Sequence, residues 1–566
     1  MARPSRGETK LLLELAGRLR PVAARGVLQH FYLAPTLPQT PLSHREILDA
    51  WLSWSRLPSM RRQPLHLYLH IPFCAHKCRY CIYHSRGDFD PDELEAYLVR
   101  LGSEIDAYEE FGATRPCDTF YLGGGTPTVL SESQIEALLE RVFSRFHFRP
   151  GGERAFECNP LSLTPGKARR FARWGLNRAS FGVQTLRRST LAGCNRGYQT
   201  ERMVRRCIET LRAERFFVNA DLIHGLDGGS LPQLARTARR LLDWGATQIT
   251  VYALSPYTPA GVGRDRALPM EPIGRALARR PELEGMRILA HPTALGITRT
   301  APPDDRLAEE GARAGRRVMY SDTSSEPFSL LGLGPSARGS IFGRMRYQFL
   351  PYAAATPFLA AERLAVGRRL EPGEEQRRYV VGRLEDEGVL CAKRYRQVFG
   401  ESLLRRFARE IRALRRAGWL ERGPEGYQLC AKDPVERFAA ALVFVSAKMR
   451  RAAGMRAAGG NGRGRPGRSD RGERILDPGR KLRLSDGRGV ALEVELVAAD
   501  GRPVFFSCCG LGFFVCGDDI RSGPRETRLL ERFCRIFERA ARSAGGDLDE
   551  LDRRLRRDSG QGPTPG

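Results

Sequence analysis

The sequence predicts an α/β protein built on a parallel sheet, with two smaller regions after it. Three observations predict this. Short β-rich runs alternate with longer amphipathic stretches from Leu65 to about residue 256. The apolar share is 42% of 566 residues, enough to bury substantial cores. A second helical pattern, over residues 371–432, ends in two short apolar runs around a Gly-Pro turn. The β-rich runs are Leu65–Ile71, Thr119–Leu122, Ala155–Glu157, Arg178–Gln184, Phe216–Ile223 and Gln248–Leu254. Between them lie the helical stretches Pro91–Phe111, Ser131–Phe146, Pro165–Trp174, Thr200–Glu214 and Leu231–Trp244. Strands alternating with helices of this length make βαβ units and a parallel sheet. Six units suit a partial or curved barrel better than an open doubly wound sheet, but alternation alone leaves both open.

The remaining regions follow in order. Residues 1–64 read as an N-terminal helical extension. Its stretch Lys10–Val27 mixes leucines with Glu14, Arg18, Arg20 and Arg25, a surface helix in pattern and too charged for a secretory leader. Residues 258–370 are less regular and read as an insertion or lid returning to the core, with Leu330–Arg338 as a Gly-rich turn. Residues 371–432 read as a small helical domain with a wing-like hairpin. The Arg/Gly-rich stretch 449–474 buries too little apolar surface to order itself and is expected to be a flexible linker. Residues 475–545 read as a small α+β domain, with strands at Val490–Val497 and Pro503–Phe506 and a helix at Arg525–Arg542. Residues 546–566 are expected to form a disordered tail.

Lys and Arg number 92 against 65 Asp and Glu, a formal charge of +27 carried almost wholly by arginine. Such a charge suits anionic partners. The plainer account is an arginine-biased composition with solvated faces, and no nucleic-acid partner is expected. No run of 18 apolar residues occurs, so no transmembrane helix is expected. The 13 cysteines, unevenly scattered, do not form a secreted disulfide framework. A reducing, cytoplasmic setting fits them. Cys508, Cys509 and Cys516 read as small apolar side chains in a hairpin, with a redox or metal role, or a role as methyl acceptor or quencher, as the alternative.

The chemistry concentrates in LYLHIPFCAHKCRYC, where Cys74, Cys78 and Cys81 fall just past the first strand. Thiolates are the ligands that iron–sulfur clusters select. Three of them leave one iron of a cubane cluster free to bind another molecule. The alternative is structural zinc with His76 or His84 as fourth ligand. Zinc knuckles usually come as two CxxC pairs, and no second pair follows here.

With Tyr80 before the last cysteine, CxxxCxxC resembles the radical S-adenosylmethionine superfamily. The wider YLHIPFC run is similar to its oxygen-independent coproporphyrinogen III oxidase and haem-chaperone family. The resemblance covers residues 65–256, and more weakly 330–430. It implies a partial (β/α)₆ barrel with a helical, winged-helix-like C-terminal domain, and a [4Fe–4S] cluster on Cys74, Cys78 and Cys81. It also implies reductive cleavage of S-adenosylmethionine to methionine and a 5′-deoxyadenosyl radical. A reduced flavodoxin or ferredoxin-type protein would supply the electron, and a tetrapyrrole-like small molecule would be the substrate.

Further motifs follow in the family's order. Gly123–Thr128 reads GGGTPT after a strand, where glycines let backbone approach a ligand and expose its amides. The resemblance gives Gly124, Gly125 and Thr126 to the methionine amine. It also places Glu157 (FECNP) near the cofactor, Gln184 (FGVQT) at the ribose and Arg196 (CNRGY) at the methionine carboxylate. An arginine fork suits a carboxylate. Asp221, in VNADLIHGL, needs donors if buried; the resemblance makes it a cofactor ligand. Tyr68, Ile223 and the Tyr252–Ala253 pair match cofactor-lining positions.

The chain departs from the best-known branches after Cys81. Ile82-Tyr83 replaces both the extra cysteine of the oxidases and the Asp-Phe of the chaperones. Ser340–Phe349 has no histidine where the chaperones carry one. A third branch, of methyltransferases, uses two S-adenosylmethionine molecules. Ile223 and the Tyr252–Ala253 pair are compatible with a second one.

Overall fold

The computed structural model describes residues 40–57, 63–254 except 82, 84, 88 and 227, 270–299 except 292 and 293, 327–349, 364–430, 440–446 except 442, and the strands at 480–485, 491–499 and 502–505. The described residues fall into two compact units, one made of those in 42–322 and 328–365 and the other of those from Val366 onward with Thr40, Pro41 and Pro327. The N-terminal surface helix, the Arg/Gly-rich stretch, the helix at Arg525–Arg542, and Cys508, Cys509 and Cys516 lie outside them.

In the first unit, helix α1 (His44–Ser55) precedes a strand–helix series. The series is β1 (Leu65–Ile71), α2 (Pro91–Ala107), β2 (Thr119–Gly124), α3 (Glu132–Arg145), β3 (Arg154–Cys158) and α4 (Pro165–Arg173). It continues through β4 (Arg178–Gln184), α5 (Glu201–Ala213), β5 (Phe217–His224), α6 (Leu231–Asp243) and β6 (Gln248–Ala253). Each helix starts where a short polar side chain takes up a free amide of the first turn. Asp90 caps α2, Thr164 caps α4, Thr200 caps α5 and Ser230 caps α6. Ser131 and Gln134 form a reciprocal capping box on α3. The stretch expected as one helix to Phe111 breaks at Tyr108, and a short helix, Glu109–Thr114, follows.

Strands β1 to β6 pair in parallel in chain order. Two findings extend the sequence reading. Within the segment expected to be irregular, β7 (Met286–His291) and β8 (Ala294–Arg299) form an antiparallel hairpin, and β8 pairs with β6. The expected Gly-rich turn begins as a strand, β9 (Ser329–Leu333), parallel to β1. Gly332 is needed there because a Cβ would meet the Arg338 carbonyl oxygen at 2.0 Å. Strands β10 (Arg338–Ile341) and β11 (Met345–Phe349) continue antiparallel. Among these strands the order is β11-β10-β9-β1-β2-β3-β4-β5-β6-β8-β7, and the sheet to which they belong does not close into a ring by hydrogen bonds.

Side chains alternate in and out along each strand. Outward residues Leu65, Leu67, Leu69, Phe120, Leu122, Phe156, Phe181, Val218, Ala220, Ile249 and Val251 are buried in one core with the helices. Inward residues are mostly polar. They include Tyr68, His70, Tyr121, Glu157, Ser180, Asn219, Asp221 and Thr250, so this concave face carries the chemistry.

The second unit runs α7 (Glu374–Asp386), β12 (Val389–Cys391), α8 (Ala392–Phe399), α9 (Leu403–Arg416), β13 (Leu420–Gly423) and β14 (Gly426–Leu429). Strand β14 pairs with both β12 and β13, which makes the wing-like hairpin. Leu403, Phe407, Ile411 and Leu414 bury one face of α9 in this unit's core. Farther on, β15 (Arg480–Ser485), β16 (Ala491–Ala499) and β17 (Arg502–Phe505) form an antiparallel sheet. No helix among the described residues is long and apolar enough to cross a membrane.

Candidate active site

The three cysteines sit on the loop leaving β1. The loop is held from two sides by backbone. On one side, the amides of Gly125 and Thr126 donate to the carbonyls of Ile71 and Phe73, both at 2.7 Å. A Cβ on Gly125 would meet the Phe73 oxygen at 2.5 Å, so only glycine allows this approach. Gly124 has φ +113° and a Cβ there would strike the His70 ring at 2.8 Å. On the other side the CNRGY segment straps the loop. Arg79 N donates to Cys194 O at 3.1 Å, and Asn195 Nδ2 donates to Lys77 O at 2.9 Å. Asn195 adopts φ +58°, a left-handed conformation that asparagine tolerates better than most residues. The His76 ring stacks on Tyr198, centroids 5.0 Å apart.

The thiols meet polar donors. Thr126 Oγ1 donates to Cys74 Sγ at 3.4 Å, and Arg196 Nη1 donates to Cys78 Sγ at 3.4 Å. Burial pushes the Cys74 and Cys81 thiols up, and the neighbouring cysteines push the same way through their charge. A bound cation reverses that balance by stabilising thiolate. Among the described residues, no three His, Cys, Asp or Glu side chains stand gathered as a closed metal site. The donor set nonetheless fits an iron–sulfur cluster: three thiols on one loop, two of them receiving a hydrogen bond. His84, one of the two histidines considered for zinc, lies outside the described residues.

The concave face brings the other candidates toward the same strand ends. Glu157 accepts from Tyr121 Oη at 2.8 Å and from Gly124 N at 3.0 Å. Burial, with Asp221 nearby, pushes its carboxyl up to about 7. Asp221 accepts from Ser180 Oγ at 3.0 Å and from Asn219 Nδ2 at 2.7 Å. Burial outweighs these donors and raises it to about 6. Behind it, Thr250 Oγ1 donates to Asn219 Oδ1 at 2.7 Å. Tyr68 bonds His70 Nδ1 at 2.8 Å.

Gln184 sits where the pairing of β4 with β5 shifts register, in the left-handed region at φ +68°. Its Oε1 is buried and has no hydrogen-bond partner. A strained backbone that leaves a buried acceptor unused is what a ligand donor would relieve. Arg196 is buried and pinned: Nη2 donates to Gly182 O and to Gln199 Oε1, both at 2.5 Å, and Nη1 reaches Tyr80 Oη at 3.3 Å. Its Nε alone has no partner.

Two placements differ from the sequence reading. The amides of Gly124, Gly125 and Thr126 are not presented to a ligand, because all three donate within the protein. Ala253 pairs in register with His224 and packs toward the apolar layer, whereas Ile223 and the 43%-exposed Tyr252 face the mouth. Sequence reasoning missed Tyr121, Ser180, Asn219, Asn195 and Gln199. The polar alternation in VNADL was the available signal for Asn219.

Residues 68–241 match the family model described as Radical SAM superfamily. An oxygen-independent coproporphyrinogen III oxidase of Cereibacter sphaeroides is 28% identical over 52% of this chain and 65% of its own length. A second, from Bradyrhizobium diazoefficiens, is 28% identical over 63% of this chain and 82% of its own. A heme chaperone, HemW of Mycobacterium tuberculosis, is 30% identical over 41% of this chain and 61% of its own. The match thus spans less than two thirds of the first and third relatives. In fold, the chain resembles the Escherichia coli coproporphyrinogen III oxidase HemN, with TM-score 0.57 at 23% identity, covering 71% of this chain and 93% of that one.

Proposed function

We propose that the chain is a radical S-adenosylmethionine oxidoreductase acting on a tetrapyrrole-like small molecule, a reading supported by the match of residues 68–241 to the Radical SAM superfamily and by the similarity in sequence to coproporphyrinogen III oxidases and haem chaperones. The reading rests on one observation: cysteine thiols, an unused buried acceptor and two raised carboxyls converge at the carboxyl ends of consecutive parallel strands. When bound, a [4Fe–4S] cluster and S-adenosylmethionine would supply one-electron cleavage and a hydrogen-abstracting radical.

The chain's own groups would do the holding. Cys74, Cys78 and Cys81 would ligate three irons. An amine donates hydrogen bonds, so it needs acceptors. With the amides of Gly124, Gly125 and Thr126 used inside the protein, the carbonyls of this loop and Glu157 are the acceptors offered to the methionine amine. Arg196 would meet the methionine carboxylate. Asp221 and Gln184 Oε1 would accept from ribose hydroxyls. Tyr68, Ile223 and Tyr252 would line the mouth, with Ala253 taking part through its backbone. A flavodoxin- or ferredoxin-type donor would deliver the electron.

Two neighbouring readings have support of their own. The 30% identity to a heme chaperone favours haem carriage, against which stands the lack of histidine in Ser340–Phe349. The half-buried Ile223 and exposed Tyr252 favour a second S-adenosylmethionine and methyl transfer. One anaerobic experiment separates the three: reconstituted chain, reductant, S-adenosylmethionine and a panel of porphyrinogens, with products read by mass spectrometry. We expect 5′-deoxyadenosine with an oxidised substrate and carbon dioxide. S-Adenosylhomocysteine beside 5′-deoxyadenosine means methyl transfer instead, and stoichiometric haem with little cofactor turnover means a chaperone.

A further inference from the structure

The arginines of the two units are used differently. On the barrel helices, exposed and half-buried arginines mix with carboxylates. Arg141 pairs with Asp106, Arg170 with Glu132 and Glu136, Arg205 with Glu209, Arg239 with Asp243, and Arg240 with Glu201. Helix α9 of the second unit is unlike them. Arg405, Arg406, Arg409, Arg412, Arg415 and Arg416 are all exposed, and none makes an ion pair among the described residues. The helix's single carboxylate, Glu410, is turned to Arg377 of α7. Past the kink of α9 at Phe407, Arg409, Arg412 and Arg416 follow the i, i+3, i+7 spacing that lines residues along one stripe, opposite Ile411 and Leu414 in the core. Like charges at such spacing destabilise a bare helix. Compositional bias accounts for arginine on every surface, but not for a stripe from which carboxylates are missing.

The place of the stripe in the unit narrows its partner. The order helix, strand, helix, helix, hairpin puts α9 third among the helices, just before the hairpin, the position of the groove-reading helix in winged helix-turn-helix modules. We propose that the exposed face of α9 docks on the phosphate backbone of duplex nucleic acid. This reverses the expectation from composition that no such partner is bound. Guanidinium groups alone occupy the stripe, so contact is electrostatic and sequence-independent. The hairpin does not extend the positive strip, since Glu421 and Glu425 are exposed on it.

The test uses the full chain and a fluorescent duplex of about 20 base pairs, long enough for several phosphate contacts, titrated at a series of salt concentrations. The variant R409E/R412E/R416E is compared with R169E/R202E/R206E, which makes the same charge change at exposed barrel positions. Circular dichroism checks that both are folded. The α9 variant is expected to bind about tenfold or more weakly and to lose about three from the slope of log affinity against log salt, one per phosphate contact. The barrel variant is expected to stay within about threefold of the parent. Equal weakening of both variants means diffuse attraction to net charge and overturns the proposal, as does no binding by the parent or full binding by the α9 variant. If that variant loses flotation with phosphatidylserine vesicles but keeps the duplex, the partner is a membrane surface and the proposal also fails.

Discussion

Along one and the same strands, Leu67, Phe156, Phe181 and Val251 face the helices, while Tyr68, Glu157, Ser180 and Thr250 face inward. The outward layer follows the rule that burial stabilises in proportion to apolar area removed from water. The inward layer runs against it. Glu157 and Asp221 are half-buried there, held by neutral donors, and desolvation pushes them up to about 7 and about 6. Groups kept at such positions lower stability at neutral pH and concentrate at functional sites. Fold and chemistry are thus divided between two sides of a single sheet, and each side is open to separate attack.

The largest effect should come from Cys78→Ala. Loss of one of three thiolates should abolish the cubane signal in absorbance and EPR, and with it cofactor cleavage. The melting midpoint of the apo protein should move by no more than about 2 °C, since no core packing is lost. If the cubane persists in this variant, the assignment of the ligands is wrong.

Next comes the outward layer. Phe156 is fully buried and stacks on Phe171 with centroids 4.0 Å apart. Phe156→Ala should destabilise by about 3–5 kcal/mol in denaturant titration. Its affinity for S-adenosylmethionine, measured where it is still folded, should stay within about twofold. A large affinity loss would show that the two faces are not separable.

The inward carboxylates should behave oppositely. Asp221→Asn or Glu157→Gln should weaken S-adenosylmethionine binding by about tenfold or more, the cost of a lost charge-assisted bond, with stability unchanged or raised. Both carboxyls are raised in the folded chain above their ordinary values of 3.8 and 4.5. The folded state therefore holds more protons than the unfolded state between those values and about 6 and 7. Stability contributed by these groups is present at the acid end and falls as pH rises through that window. The neutral variants should flatten this decline, by up to about 3 kcal/mol per site. Tyr121, Tyr252, Ser180, Asn219 and Arg178 stand around the pair; burial lifts the two tyrosines farther above the window, and Ser180 and Asn219 carry no proton to exchange in it. The smallest effect belongs to Ser180→Ala, which removes one of the donors to Asp221 and should cost a few-fold in affinity, about 1 kcal/mol.

Much of the division is legible in residues close in sequence. Ser131, Thr164 and Thr200 mark helix starts because a cap bonds to an amide three residues on. The runs LHLYLHI and VNADLIH alternate as half-polar strands do, and the cysteine spacing declares itself in eight residues. What stayed hidden depends on distant partners. The strap from Cys194 and Asn195 crosses more than a hundred residues to Arg79 and Lys77. The hairpin of β7 and β8 reads as irregular until β6 is beside it. The direction of the Gly124–Thr126 amides depends on carbonyls at Ile71 and Phe73, and nothing in GGGTP announces it.

The strands from β11 to β7 are not stitched into a ring. In a closed barrel, strand number and stagger set the bore, and enlarging it means unpicking the ladder. Here the outermost member is the β7–β8 hairpin, fastened to the parallel strands along β6 alone. The edge hairpin can then vary on its own, while β1 to β5 and the loops that follow them keep the thiols, carboxyls and arginine in place. Such a scaffold can change the size of molecule it admits by altering that hairpin, leaving its radical-generating end as it was.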